Sequence, residues 1–193
     1  MRNFICISGK AQNGKDTSAE IFKNELVIRG HSVLVIHQAD LLKYICKAFF
    51  NWNGEKDEAG RTLLQQVGTN VIRKVEPDFW VDFIAKVTGF FKDTWDYIII
   101  PDTRFPNELE KLKADDANVF HVRVIRKDFK SPLTEEQQRH PSETALDGIE
   151  SDFTLLNDKG IDDLYGGVVG ILDAIEKQIK ENKCRKITLV SHC

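Results

Sequence analysis

The stretch Gly9-Lys10-Ala11-Gln12-Asn13-Gly14-Lys15-Asp16-Thr17 decides how this chain reads. A glycine, four intervening residues, a second glycine and a lysine follow the apolar run Phe4 to Ser8. A helix-compatible segment from Lys15 to Gly30 comes next. Strand, glycine-bounded loop and helix, in that order, are the context of a phosphate-binding P-loop. Glycine lets backbone N–H groups turn inward around a polyphosphate. The helix N-terminus adds unpaired donors and the positive end of its dipole. Lys15 supplies a mobile cation for the terminal phosphates. After such a lysine a Ser or Thr usually offers magnesium a hydroxyl; here Asp16 stands in that place, with Thr17 next.

Further apolar runs predict strands at Ser32 to Ile36, Trp95 to Ile100, Val119 to Ile125 and Phe153 to Leu156. Their continuous character suits a parallel sheet buried on both faces, and helical patterns separate them, so an α/β architecture is expected. Lys186 to Val190 is open to a further strand. Ligand groups in such a sheet gather at the C-terminal strand ends. Asp40, just past the second strand, is either a substrate-site residue or the N-cap of the helix from Leu41 to Phe50, and both readings can hold together. Asp78 is expected to cap a helix carrying Trp80, Phe83, Ile84 and Val87, whose aromatics read as core.

Gly60 to Lys74 reads as a helix with Arg61 and Arg73 flanking an apolar face. Arginine suits bidentate phosphate contact; a solvated helix charge is the alternative. Past the third strand, PDTRFPNELE places Asp102 as a Walker B-like acid and Arg104 on the same rim, unless the two form a structural salt bridge. Polar residues 127–143, with Arg139 and His140, suit a mobile lid or a plain surface loop.

The 193 residues suit one domain with a sizeable core, read as 1–193. The net charge of -3 argues against broad binding to polymeric nucleic acid. No run approaches membrane-spanning length and the first residues lack a secretory pattern, so a cytoplasmic protein that needs no membrane is expected. The four cysteines (6, 46, 184 and 193) lack zinc spacing and read as reduced thiols.

The chain resembles bacteriophage-type deoxynucleoside monophosphate kinases, a branch of the P-loop nucleoside monophosphate kinases. Collinear motifs carry the resemblance: GKAQNGKDT, GRTLLQQVGT with Arg73, PDTRFPNELE, HPSE at His140 to Glu143, and SDFTLLNDKGIDDL from Ser151. It implies a three-layer αβα P-loop kinase fold with a five-stranded parallel sheet. A helical acceptor lobe would occupy about 41–92 and a lid about 127–143. The implied reaction moves the γ-phosphoryl group of ATP, with Mg²⁺, to a deoxynucleoside monophosphate (dNMP). The resemblance places Gly9, Asn13, Gly14, Lys15, Asp16, Thr17 and Asn157 at ATP, Asn157 against the adenine. It sets Arg61, Arg73 and Arg104 at the acceptor, and Asp102, Arg126 and Arg139 with Lys15 in catalysis. Magnesium would lie near Asp16, Thr17 and Asp102, directly or through water.

Rival readings are another small-molecule P-loop kinase of the dephospho-coenzyme A kinase kind, a nucleotide-switch GTPase and a catalytically silent nucleotide-binding protein. The guanine-binding Asn-Lys-any-Asp pattern is missing, since Asn182-Lys183 continues as Cys184-Arg185. Base preference and oligomeric state are not legible; a homodimer is the working expectation.

Overall fold

The computed structural model describes residues 2–114 and 117–190, with side chains through 182. Five strands, β1 (Asn3–Ser8), β2 (Val33–Val35), β3 (Tyr97–Ile100), β4 (Asn118–Ile125) and β5 (Phe153–Leu156), form one sheet in the order β2-β3-β1-β4-β5. Every pairing is parallel; Ile5 stands between Ile99 and Phe120. Both faces are covered, which is why the strands are apolar without alternation. On one face Ile5, Ile7, Ile99 and Val122 meet Phe22 and Leu26 of α1 (Lys15–Ile28) and Val168, Leu172 and Ile175 of α8 (Ile161–Val190). On the other, Phe4, Cys6, Ile98 and Ile100 meet Val81 and Ile84 of α4 (Phe79–Phe90) and Leu109 and Leu112 of α5 (Pro106–Ala114). Burying each such side chain stabilises the fold by about 2 kcal/mol. The result is the expected three-layer αβα sandwich. Burial pushes the Cys6 thiol up to about 12, so it behaves as a small core hydrophobe. Cys46 is also a free, buried thiol; Cys193 and the side chain of Cys184 lie outside the described residues.

Between β2 and β3, ahead of α4, the chain builds α2 (Ala39–Phe50), α3 (Glu58–Gln65) and a π-helical stretch (Gln66–Arg73) around a small core of Cys46, Trp52 and Val67. The single helix read over Gly60 to Lys74 is therefore two kinds of helix. The wider π turn, rare and frequent at functional sites, turns Gly68 and Thr69 toward the cavity described below. Asp57, not foreseen, caps α3 by accepting the Gly60 N–H at 2.7 Å. Asp78, foreseen as a cap, makes no such bond. Its carboxylate is held by the Asn107 amide at 2.7 Å and by Lys111. Lys186–Val190 continues α8 rather than adding a strand.

Residues 127–143 are largely folded. Thr134 and Gln137 form a capping box that starts α6 (Glu135–Arg139), and α7 (Pro141–Thr144) follows. Gln137 is buried, and its amide donates to the Glu58 carbonyl and the Thr62 hydroxyl, both at 3.0 Å. Gln65 donates to the Gln137 carbonyl at 3.2 Å. The segment is thus seated on α3. Among the described residues, no helix is long and apolar enough to cross a membrane.

Candidate active site

The loop between β1 and α1 is wound tightly under the C-terminal sheet edge. Gly9 has φ 145°, and a Cβ there would stand 2.4 Å from the Val124 carbonyl oxygen of β4. Gly14 has φ 95°, and a Cβ there would meet the Asn157 amide nitrogen at 2.3 Å. Only glycine fits both positions. Asn13 donates to the Val124 carbonyl at 3.3 Å, and Asn157 donates to the Asn13 carbonyl at 3.0 Å. The structure therefore gives Asn157 a bracing position beneath the loop, and it borders neither cavity described below.

Lys15 is buried, and its ammonium donates to the Gly9 and Lys10 carbonyls at 2.9 Å each. Burial, with the Arg104 guanidinium nearby, lowers its pKa to about 7. Asp16 faces His37 at 3.4 Å; this contact holds the carboxyl below the usual range and raises the imidazole. Thr17 lies beside Asp16 on the cavity wall. Asp102, at the end of β3, accepts the Gln38 N–H at 3.0 Å and the Ala39 N–H at 2.8 Å, so it caps α2. That corrects the capping alternative for Asp40. Asp40 is half-exposed, pairs with Lys43 at 2.8 Å and stands outside the cavity lining. Nor does Asp102 pair with Arg104.

A cavity of about 560 Å³ opens from the loop residues Ala11, Gln12 and Gly14 to Thr17 and runs to Trp80 and Phe105. Arg61, Arg73 and Arg104 border it. Arg61 is anchored by the Lys56 carbonyl at 2.8 Å. Arg73 is no solvated charge. It is buried, stacked 4.0 Å over the Phe105 ring and paired with Glu108 at 2.5 Å. Burial raises the Glu108 carboxyl, while Arg73 and the Arg104 and Phe105 N–H groups oppose this. Its two oxygens accept from all three. Arg104 is directed to Glu143 at 2.7 Å, and the other Glu143 oxygen accepts the Ala11 N–H of the P-loop at 3.1 Å.

A second cavity, about 290 Å³, lies on the other side of the P-loop, against Gly9, Lys10, Asn13 and Arg126. The two cavities share Arg104, Ser142 and Glu143 as their partition. Arg126 stacks 4.5 Å over Phe129. Arg139 pairs with Glu135, has a side chain 79% exposed and borders neither cavity. The site thus holds several groups not singled out from the sequence: His37, Gln38, Phe105, Glu108 and Glu143. Trp80, read as core, is both. It is buried, donates to the Gly68 carbonyl at 3.1 Å and faces the cavity. Glu143 and Glu108 lay inside quoted motifs, but nothing local shows where an acid will point.

Among the described residues no cluster of three or more His, Cys, Asp or Glu side chains is placed to hold a metal. Asp16, Thr17 and Asp102 all border the large cavity, and a magnesium ion carried in on nucleotide phosphates needs only one or two protein ligands.

These features define a P-loop kinase architecture. Solved structures agree on the fold: dephospho-CoA kinase from Campylobacter jejuni is 13% identical with a TM-score of 0.51, covering 90% of this chain and 97% of its own. A family profile described as deoxynucleotide monophosphate kinase matches residues 34–168, and the chain belongs to that family. It is 31% identical over 114 residues to the deoxynucleotide monophosphate kinase of Escherichia phage RB69, covering 58% of this chain and 44% of that protein. It is 29% identical over 125 residues to its counterpart in Enterobacteria phage T4, covering 64% and 49%. The chain spans about half the length of these relatives.

Proposed function

We propose that this chain transfers the γ-phosphoryl group of ATP to a deoxynucleoside monophosphate, giving a deoxynucleoside diphosphate and ADP. The observation that carries this reading is continuity. One cavity joins the P-loop and Lys15 to an arginine-bordered chamber that ends on Trp80 and Phe105. A phosphate monoester with a flat aromatic group suits that gradient from cationic to apolar.

The acceptor phosphate is already a nucleophile, so positioning and charge stabilisation carry the chemistry. The P-loop N–H groups and Lys15 hold the donor phosphates. Arg104 and Arg61 orient the acceptor phosphate. Arg73, fixed by Glu108, shapes the chamber and adds positive potential. Asp102 holds α2 in place and faces the metal environment with Asp16 and Thr17. Bound magnesium would offset charge on the phosphates. Arg126 is poised beside the second cavity to reach the donor side. Arg139 would have to leave Glu135 to reach the phosphates.

A coupled assay of ADP formation across the four dNMPs tests the reading, with ribonucleotides and dephospho-coenzyme A as controls. Magnesium-dependent turnover with a dNMP is expected. ATP binding without transfer to any dNMP would refute it.

A further inference from the structure

Gln38 is the one side chain among the described residues with both polar ends buried and unpartnered: neither its amide nitrogen nor its oxygen has a hydrogen-bond partner. It is 5% exposed and borders the large cavity. A buried carboxamide left unpaired is destabilising, and native proteins keep few of them. Its backbone is held in place. Asp102 pins the N–H groups of Gln38 and Ala39, and Gln38 already has helical dihedrals, φ -60° and ψ -36°. Leu42, one turn on, therefore shares its face of α2. Leu42 lies against Gly68, where an added Cβ would meet its Cδ2 at 2.7 Å, and Gly68 in turn receives the Trp80 indole N–H. Gln38, Leu42, Gly68 and Trp80 all border the large cavity, and the Gln38 carboxamide is buried among them.

We propose that Gln38 recognises the base of the acceptor nucleotide through its carboxamide, as a specificity-determining residue; this rests on the dNMP kinase reading above. The chemistry selects the base over the rest of the ligand. The phosphate's charge is matched by Lys15, Arg61 and Arg104, and a neutral amide adds little there. A carboxamide presents a donor and an acceptor side by side in one plane, the pattern that pairs with a nucleobase edge. Binding then satisfies two buried groups that the free protein leaves unpaired.

The test compares wild type with Gln38→Leu, similar in length and without the amide. Calorimetry measures binding of each dNMP, of ATP and of deoxyribose 5-phosphate, which keeps sugar and phosphate but lacks the base. Expected is a loss of about tenfold or more in dNMP affinity. Affinities for deoxyribose 5-phosphate and ATP stay unchanged, and the ligand-free variant melts no lower than wild type. An equal loss for deoxyribose 5-phosphate, or unchanged dNMP affinity (a buried water as the only partner), overturns the assignment. Gln38→Glu is the second variant, needed if Gln38→Leu fails to fold. It keeps the shape but loses the donor, so relative affinities among the four bases must change; an unchanged pattern also overturns the proposal. Wild type that binds ATP but no dNMP fails the kinase reading itself, and the proposal with it.

Discussion

Arg73 and Glu108 meet at 2.5 Å inside the wall of the large cavity, one from the π-helical stretch and the other from α5. The pair joins the inserted helices to the sheet layer. Both side chains are buried, so neither ion can be hydrated if its partner is lost. Arg73→Met should therefore destabilise the protein by about 3–5 kcal/mol. Arg73→Met with Glu108→Leu should lose less than Arg73→Met alone. Urea denaturation of the two single variants and the double variant checks this; a double variant as unstable as the sum of its singles would mean the ions are not coupled.

Glu143 puts a carboxylate on a P-loop N–H and on Arg104, where nucleotide phosphates would seek the same donors. The acid is an internal competitor for an anion. Glu143→Gln keeps the shape and removes the charge, and ATP should bind about threefold to tenfold more tightly. Titration calorimetry without acceptor gives the number. Weaker binding would mean that the carboxylate organises the loop for ATP instead.

Burial lowers Lys15 to about 7 in the free site. At about pH 8 it is then mostly neutral, while bound phosphates favour the ammonium and raise its pKa. ATP binding should take up close to one proton there, and affinity should fall as the pH climbs above about 7. Calorimetry in buffers of different ionisation enthalpy measures the uptake. Lys15→Ala should abolish both the uptake and phosphoryl transfer while the circular dichroism spectrum is retained.

Gly14→Ala forces a Cβ onto the Asn157 amide at a residue with φ 95°. A loss of about 1–3 kcal/mol and weakened ATP binding are expected. Asn157→Ala alone removes the brace on the Asn13 carbonyl. Because Gly14→Ala already displaces that amide, the two losses should add to less than their sum in a double-mutant cycle.

Much of the fold was legible because it rests on local regularities. The strands β1 to β5 follow from apolar runs too short for helices, and their lack of alternation reveals a sheet covered on both faces. The P-loop is legible because its function requires glycine at Gly9 and Gly14 and a lysine at the helix start. Where a choice depended on packing, the sequence was ambiguous. Asp40 was suited to cap α2, and only the approach of β3 gives that position to Asp102, which the sequence offered as a Walker B-like acid. Arg73 and Arg139 look alike in the sequence, yet one is buried against Glu108 and the other is exposed beside Glu135.

By itself the sequence determined the layered α/β class, the phosphate-binding loop and the family, because each depends on residue types at short, regular spacing. Only the tertiary structure decided which carboxylate each arginine faces, that Glu143 stands on the P-loop, that Trp80 is core and cavity wall at once, and that Gln38 is buried with its amide unpaired. Those relations join residues far apart in the chain, and no local pattern records which side chains folding will bring together.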